Sequence, residues 1–153
     1  MPMRKIGDLH GKNVWGAGSS VGDSVKYILF VCTENSARSQ MAEALFNFHN
    51  KNPEYVGISA GTDPANAVKQ GAVEAMKEKG IDISQKKPKK LVSGMVKKAD
   101  RIFTMGCVKG CPVTPPGKTD DWELEDPAGK PIEKYREVRD EIERRVRKLV
   151  SEL

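Results

Sequence analysis

Cysteine and histidine are scarce in this chain of 153 residues: Cys32, Cys107 and Cys111 are its three cysteines, His10 and His49 its two histidines. So small and odd a cysteine count does not build the disulfide framework of a small secreted protein. The three read as thiols, ligands or redox centres in a reducing compartment. Two isolated histidines without ligand spacing offer no histidine metal centre. No apolar run approaches the roughly 18 residues that a membrane-spanning helix needs. The first 25 residues also lack the basic, apolar and cleavage-site order of a signal peptide. The expectation is a cytoplasmic protein without a membrane partner.

Aromatic residues make up only 6% of the chain, and none falls between Lys86 and Lys98, where six lysines stand without an acid. The net charge of +5 therefore reads as a solvated face that could steer a small anion, and no nucleic-acid partner is expected. The chain is long enough to bury one core without metal or disulfide support. Residues 1–25 carry scattered apolar positions and no sustained period, which suits an irregular N-terminal arm. Residues 26–153 read as a single domain.

Within that domain the pattern alternates. Tyr27 to Val31 is a short apolar run suited to a strand buried on both faces. A polar loop follows, then a helix carrying Met41, Leu45 and Phe48. Tyr55 to Ser59 is a second strand. Asp63-Pro64 reads as an N-cap and first helical residue, opening a helix through Val68, Ala72 and Ala75 that Gly80 ends. A short helix around Leu91, Val92, Met95 and Ala99 leads into a strand over residues 101–105. The Pro- and Gly-rich segment 106–121 reads as a loop, with a short strand near Trp122–Leu124. Tyr135, Val138, Ile142, Val146, Leu149 and Leu153 trace one face of a final helix. The expected fold is α/β: a three-layer sandwich whose four-stranded parallel sheet carries helices on both faces.

The first loop, CTENSARS, concentrates the chemistry. In open parallel sheets, ligands gather beyond the carboxyl ends of the strands, where Cys32 stands. Thr33, Glu34, Asn35, Ser36 and Ala37 run into a helix N-terminus, whose unpaired amides and dipole favour an anion. Arg38 adds a planar fork suited to a tetrahedral oxyanion. Such a field lowers a thiol's pKa and makes it a nucleophile. The competing reading is a buried small cysteine with a surface arginine, but the strand-to-helix setting favours the cradle. Cys107 and Cys111, separated by three residues, could be structural thiols, half of a metal site or a redox pair.

The run CTENSARSQMAEALF resembles the phosphate loop and first helix of the low-molecular-weight protein tyrosine phosphatase superfamily, and more narrowly its thioredoxin-coupled arsenate reductases. DWELEDPAGK followed by YREVRDEIERR resembles the same reductases, so the likeness spans residues 26–153. It implies Cys32 as nucleophile, Arg38 as oxyanion ligand, Ser39 as stabiliser of the thiolate, Asn35 as shaper of the loop and Asp126 as the acid. It further implies a disulfide cascade in which Cys107 attacks Cys32 after arsenate has bound, and Cys111 then attacks Cys107. A thioredoxin-like reductant would close the cycle. The expected enzyme takes arsenate or phosphate as its oxyanion, uses no cofactor and no metal, and is a monomer. The alternatives are a tyrosine or small-molecule phosphatase using Cys32, Arg38 and Asp126, and a non-enzymatic anion or arsenite sensor needing no Asp126.

Two departures stand out. Glu34 replaces the family's usual glycine. A carboxylate about 7 Å from a bound oxyanion would repel it by roughly 0.6 kcal/mol in water and about 2.4 kcal/mol at an effective dielectric near 20, so either Glu34 points outward or the site is weaker for dianions than its relatives. Some reductases of this family hold a cation beside the loop with an asparagine, a glutamate and an aspartate. Asn35 and Glu43 match the first two, whereas Lys89 stands at the aspartate position. From this departure the lysine ammonium is expected to replace the cation.

Overall fold

β1 (Lys26–Cys32) runs through the middle of the molecule, and its side chains alternate between two cores. The computed structural model describes residues 25–106 and 114–153. The expected arm lies outside the described residues except for Val25, which packs partly buried against the sheet. Cys107 and Cys111 also lie outside them. After β1 come α1 (Arg38–His49), β2 (Tyr55–Gly61), α2 (Gln70–Lys77), α3 (Ser93–Lys98), β3 (Ala99–Thr104), a 3₁₀ turn (Pro116–Lys118), β4 (Thr119–Asp121) and α4 (Ile132–Ser151). The four strands are parallel in the order β2-β1-β3-β4.

Ile28 and Phe30 of β1 face one core with Met41, Leu45 and Phe46 of α1 and Ile142 and Val146 of α4. Leu29 and Val31 face the other, with Ile58, Ile102 and Met95 of α3. Completely burying side chains such as Ile28, Leu29 and Phe30 contributes about 1.5–3 kcal/mol each. The three-layer arrangement is thus present but lopsided: α1, α2 and α4 build one face, and the six-residue α3 covers the other. Because the chain leaves β1 for β2 on one side and β3 on the other, a crevice opens at the carboxyl ends of β1 and β3.

Several expected boundaries are corrected. Asp63-Pro64 does not start a helix. The amides of Asp63, Ala65 and Lys69 donate to the carbonyls of Thr33, Glu34 and Ser36. They are committed to the first loop, so α2 begins only at Gln70. The fourth strand is Thr119–Asp121, not Trp122–Leu124. Glu123 adopts a positive φ of 51° and turns the chain away from the sheet. The third strand begins two residues earlier than expected, at Ala99. Phe48 is 54% exposed, because Phe46 takes the inward position near the end of α1. In the final helix Tyr135, Val138, Ile142, Val146 and Leu149 are buried as the pattern requires, while Leu153 packs against the same core from beyond the helix.

Candidate active site

Cys32 ends β1, and the loop behind it folds over Gly61 at the end of β2. A β-carbon on Gly61 would lie 2.6 Å from the Thr33 carbonyl oxygen and 2.9 Å from the Asn35 nitrogen, so only glycine allows the loop this close. Asn35 takes a left-handed conformation, φ 51°, which asparagine tolerates better than most residues. The resulting turn sends the Asn35 amide toward Cys32 Sγ at 3.2 Å. Cys32 Sγ also lies 2.8 Å from Ser39 Oγ. Cys32, Thr33, Glu34, Ser36, Ala37, Arg38 and Asp126 line a cavity of about 180 Å³.

The direction of the hydrogen bonds around the thiol follows from donor and acceptor chemistry. Asn35 Nδ2 can only donate, and does so to Ser39 Oγ at 2.7 Å and Ser59 Oγ at 3.0 Å. Ser39 therefore keeps its own hydroxyl hydrogen for Cys32 Sγ. The amide cannot be reversed, because Asn35 Oδ1 already accepts Gln40 Nε2 at 2.9 Å and the Lys89 amide at 2.8 Å. Ser59 in turn donates to Glu43 Oε1 at 2.6 Å. Asn35, Ser39, Ser59 and Glu43 are all buried.

Arg38 is buried at the cavity wall. Its Nη1 donates to the Met105 carbonyl at 2.5 Å and the Leu124 carbonyl at 3.0 Å, and Nη2 lies 3.7 Å from Asp126 Oδ2. One guanidinium thus ties the loop after β1 to the chain after β3 and to the chain after β4. Gly106 serves this closure: its φ is 88°, and a β-carbon there would come within 2.9 Å of the Leu124 backbone. Asp121 Oδ1 caps the turn by accepting the amides of Gly106 and Glu123. Asp126 is half-exposed at the mouth, with Oδ1 accepting the Ala128 amide at 3.0 Å.

Glu34 is among the residues that line the cavity, and its side chain pairs with a neighbouring lysine. Its half-exposed carboxylate lies 3.6 Å from Lys69 Nζ and accepts the Ser36 hydroxyl at 3.3 Å. The expected pairing of Glu43 is corrected in its details. Lys86 makes the close contact, 2.6 Å from Nζ to Oε2, whereas Lys89 Nζ stands 3.8 Å from Oε1. Burial pushes Lys89 below the ordinary lysine range; Glu43 opposes the shift and Lys86 adds to it.

The structure brings Cys32, Thr33, Glu34, Ser36, Ala37, Arg38 and Asp126 around one cavity, with Asn35 and Ser39 behind it. Sequence reasoning missed Ser59, Gln40, Lys69 and Lys86. A small polar residue in an otherwise apolar strand next to Gly61 was the available signal for Ser59. Lys86 is one of several neighbouring lysines, and nothing in the pattern separates it from them.

Residues 27–110 match the family model described as low molecular weight phosphotyrosine protein phosphatase. An arsenate reductase of Brevibacillus brevis is 43% identical over 133 residues, covering 84% of this chain and 97% of the relative. Among solved structures, a Corynebacterium glutamicum thioredoxin-dependent arsenate reductase aligns with a TM-score of 0.72 and 34% identity, over 94% of this chain and 68% of that one. A low molecular weight protein tyrosine phosphatase from T. tengcongensis gives a TM-score of 0.75 and 31% identity, over 84% and 99% of the two chains.

Proposed function

We propose that this chain, which belongs to the low molecular weight phosphotyrosine protein phosphatase family, is an arsenate reductase that spends three of its own thiols in sequence. The observation that carries the reading is the thiol of Cys32 at the cavity, held between the Asn35 amide and the Ser39 hydroxyl, in a chain with two further cysteines near each other. A phosphatase needs one thiolate and one acid; the extra pair supplies the two electrons of a reductase.

In the first step the Cys32 thiolate attacks arsenic(V), a sulfur–arsenic bond forms, and an arsenate oxygen leaves as water after protonation. The loop amides and Arg38 hold the developing oxyanion charge. Asp126, near Arg38 at the cavity mouth, supplies the proton. The Cys107 thiolate then attacks Cys32 Sγ. The sulfur–arsenic bond breaks, its electron pair stays on arsenic, and arsenite departs as arsenic(III). A Cys32–Cys107 disulfide remains. Cys111 attacks the Cys107 sulfur and expels the Cys32 thiolate, and a thioredoxin-type dithiol reduces the resulting Cys107–Cys111 disulfide. The reading takes the chain as acting alone, as a monomer. Work by free thiols is suited to a reducing compartment such as the cytoplasm, which is the address this reading proposes.

Aryl-phosphate hydrolysis is the second reading, favoured by Asp126 at the mouth of the same cavity. The test is arsenate-dependent consumption of NADPH with thioredoxin and its reductase. Cys32→Ser, Cys107→Ser and Cys111→Ser should each abolish turnover. Turnover of arsenate at the wild-type rate by both loop variants would refute the cascade. A wild-type chain that reduces no arsenate but hydrolyses an aryl phosphate, with that hydrolysis unchanged in both loop variants, would promote the phosphatase reading.

A further inference from the structure

Glu43 is a completely buried carboxylate on α1, one turn past Ser39. Burying an ionised carboxylate is prohibitive unless charges and donors meet it. Here Lys86 Nζ reaches Oε2 at 2.6 Å, Ser59 Oγ reaches Oε1 at 2.6 Å, and Lys89 Nζ follows at 3.8 Å. The two ammoniums come from outside, each about a quarter to a third exposed, and converge on one buried charge.

We propose that Lys86, seconded by Lys89, is a built-in cation for the anion loop, neutralising Glu43 and fixing the direction of the hydrogen bonds that run from Glu43 to Cys32. The cation site that the family resemblance implies does not fit these residues. Both Glu43 oxygens are taken by donors, and Asn35 Oδ1 is taken by Gln40 Nε2 and the Lys89 amide. Gln40 Oε1 is the one buried side-chain oxygen or nitrogen without a partner among the described residues. A single neutral oxygen cannot supply the shell of about six or more that hard cations take.

The lysines are preorganised by backbone pairing. The Lys89 carbonyl accepts the Gly61 amide at 2.8 Å, the Lys89 amide donates to Asn35, and the Lys87 carbonyl accepts Gln40 Nε2 at 3.2 Å. The segment carrying them is therefore tied to the loop it serves. With Glu43 kept as a pure acceptor, Ser59 must donate to it and so accepts from Asn35. That pins the Asn35 amide, whose other hydrogen faces Ser39 and leaves the Ser39 hydroxyl to the thiol. Lys86 is thus a positioning residue for Cys32, acting through four intervening side chains.

The experiment uses the full chain and needs no arsenate turnover, so its failure is separate from failure of the reductase reading. Wild-type thermal midpoints are measured in potassium, sodium and choline chlorides at one ionic strength. They should agree within about 1 °C; a cation bound at a hundred times its Kd would instead raise the midpoint by roughly 5–10 °C. Such a saturable, cation-specific rise would overturn the proposal. In parallel, iodoacetamide alkylation of Cys32 at pH 7 is followed by peptide mass spectrometry. Lys86→Met should slow it by about three- to tenfold and Lys86→Arg should stay within about twofold of wild type. A folded Lys86→Met protein alkylated at the wild-type rate would refute the positioning role; if that variant does not fold, the cation comparison on the wild type decides.

Discussion

Replacing Asn35 separates two things that the loop asks of one residue: a left-handed backbone and a side chain with both donors and acceptors. Asn35→Ala loses two donated and two accepted hydrogen bonds. Their net worth is about 1 kcal/mol each, but the losses do not simply add. Gln40 Nε2 keeps the Asn35 and Lys87 carbonyls, and the hydroxyls of Ser39 and Ser59 can turn to their remaining partners. The Lys89 amide has no such substitute, so the side-chain loss is about 2–3 kcal/mol. Alanine at φ 51° adds about 1–2 kcal/mol of backbone cost, which glycine avoids. Urea denaturation should therefore find Asn35→Ala destabilised by roughly 3–5 kcal/mol and Asn35→Gly by about 1–2 kcal/mol less than that. Both should slow Cys32 alkylation, since neither holds Ser39. An Asn35→Ala protein within about 0.5 kcal/mol of wild type would refute the reasoning, as would equal destabilisation of the two variants.

Arg38→Lys should lower kcat/KM for arsenate by about 10²–10³, because one ammonium cannot hold the Met105 and Leu124 carbonyls and an oxyanion together; steady-state kinetics on the folded variant checks it. Gly61→Ala puts a β-carbon against loop backbone at 2.6 Å and 2.9 Å, and should cost about 1–3 kcal/mol while raising the inhibition constant for phosphate. Arg136 and Arg139 hold Glu78 down from its ordinary 4.5 to about 2. Its stabilising effect is present above the unfolded value and is lost as pH falls toward 2, so Glu78→Gln should flatten the decline of the thermal midpoint between about pH 4.5 and 2.

The strand-to-helix core of the fold was legible because β1 is apolar on both faces and α4 repeats its apolar residues on one side. Capping signals misled where a segment serves something other than its own helix. Asp63-Pro64 looks like a helix start, yet the amides around it close the first loop. The fourth strand was misplaced because Asp121 and the left-handed Glu123 end it before Trp122, a distinction set by the turn that meets Gly106. Within the site, the loop residues and Asp126 were readable from spacing and resemblance, whereas Lys86 and Ser59 were not. Both act at a distance from the thiol through buried partners that only the packing of β2 and the lysine segment against α1 brings together.

The central claim is that arsenate takes its electrons from the protein's own thiols, and a single turnover without external reductant tests it most directly. Fully reduced protein mixed with excess arsenate should yield one arsenite per chain and a Cys107–Cys111 disulfide on peptide mapping. Cys111→Ser should instead accumulate a Cys32–Cys107 disulfide, and Cys107→Ser should release no arsenite. Arsenite formed by Cys107→Ser, or a wild-type chain that forms neither arsenite nor disulfide, would contradict the account.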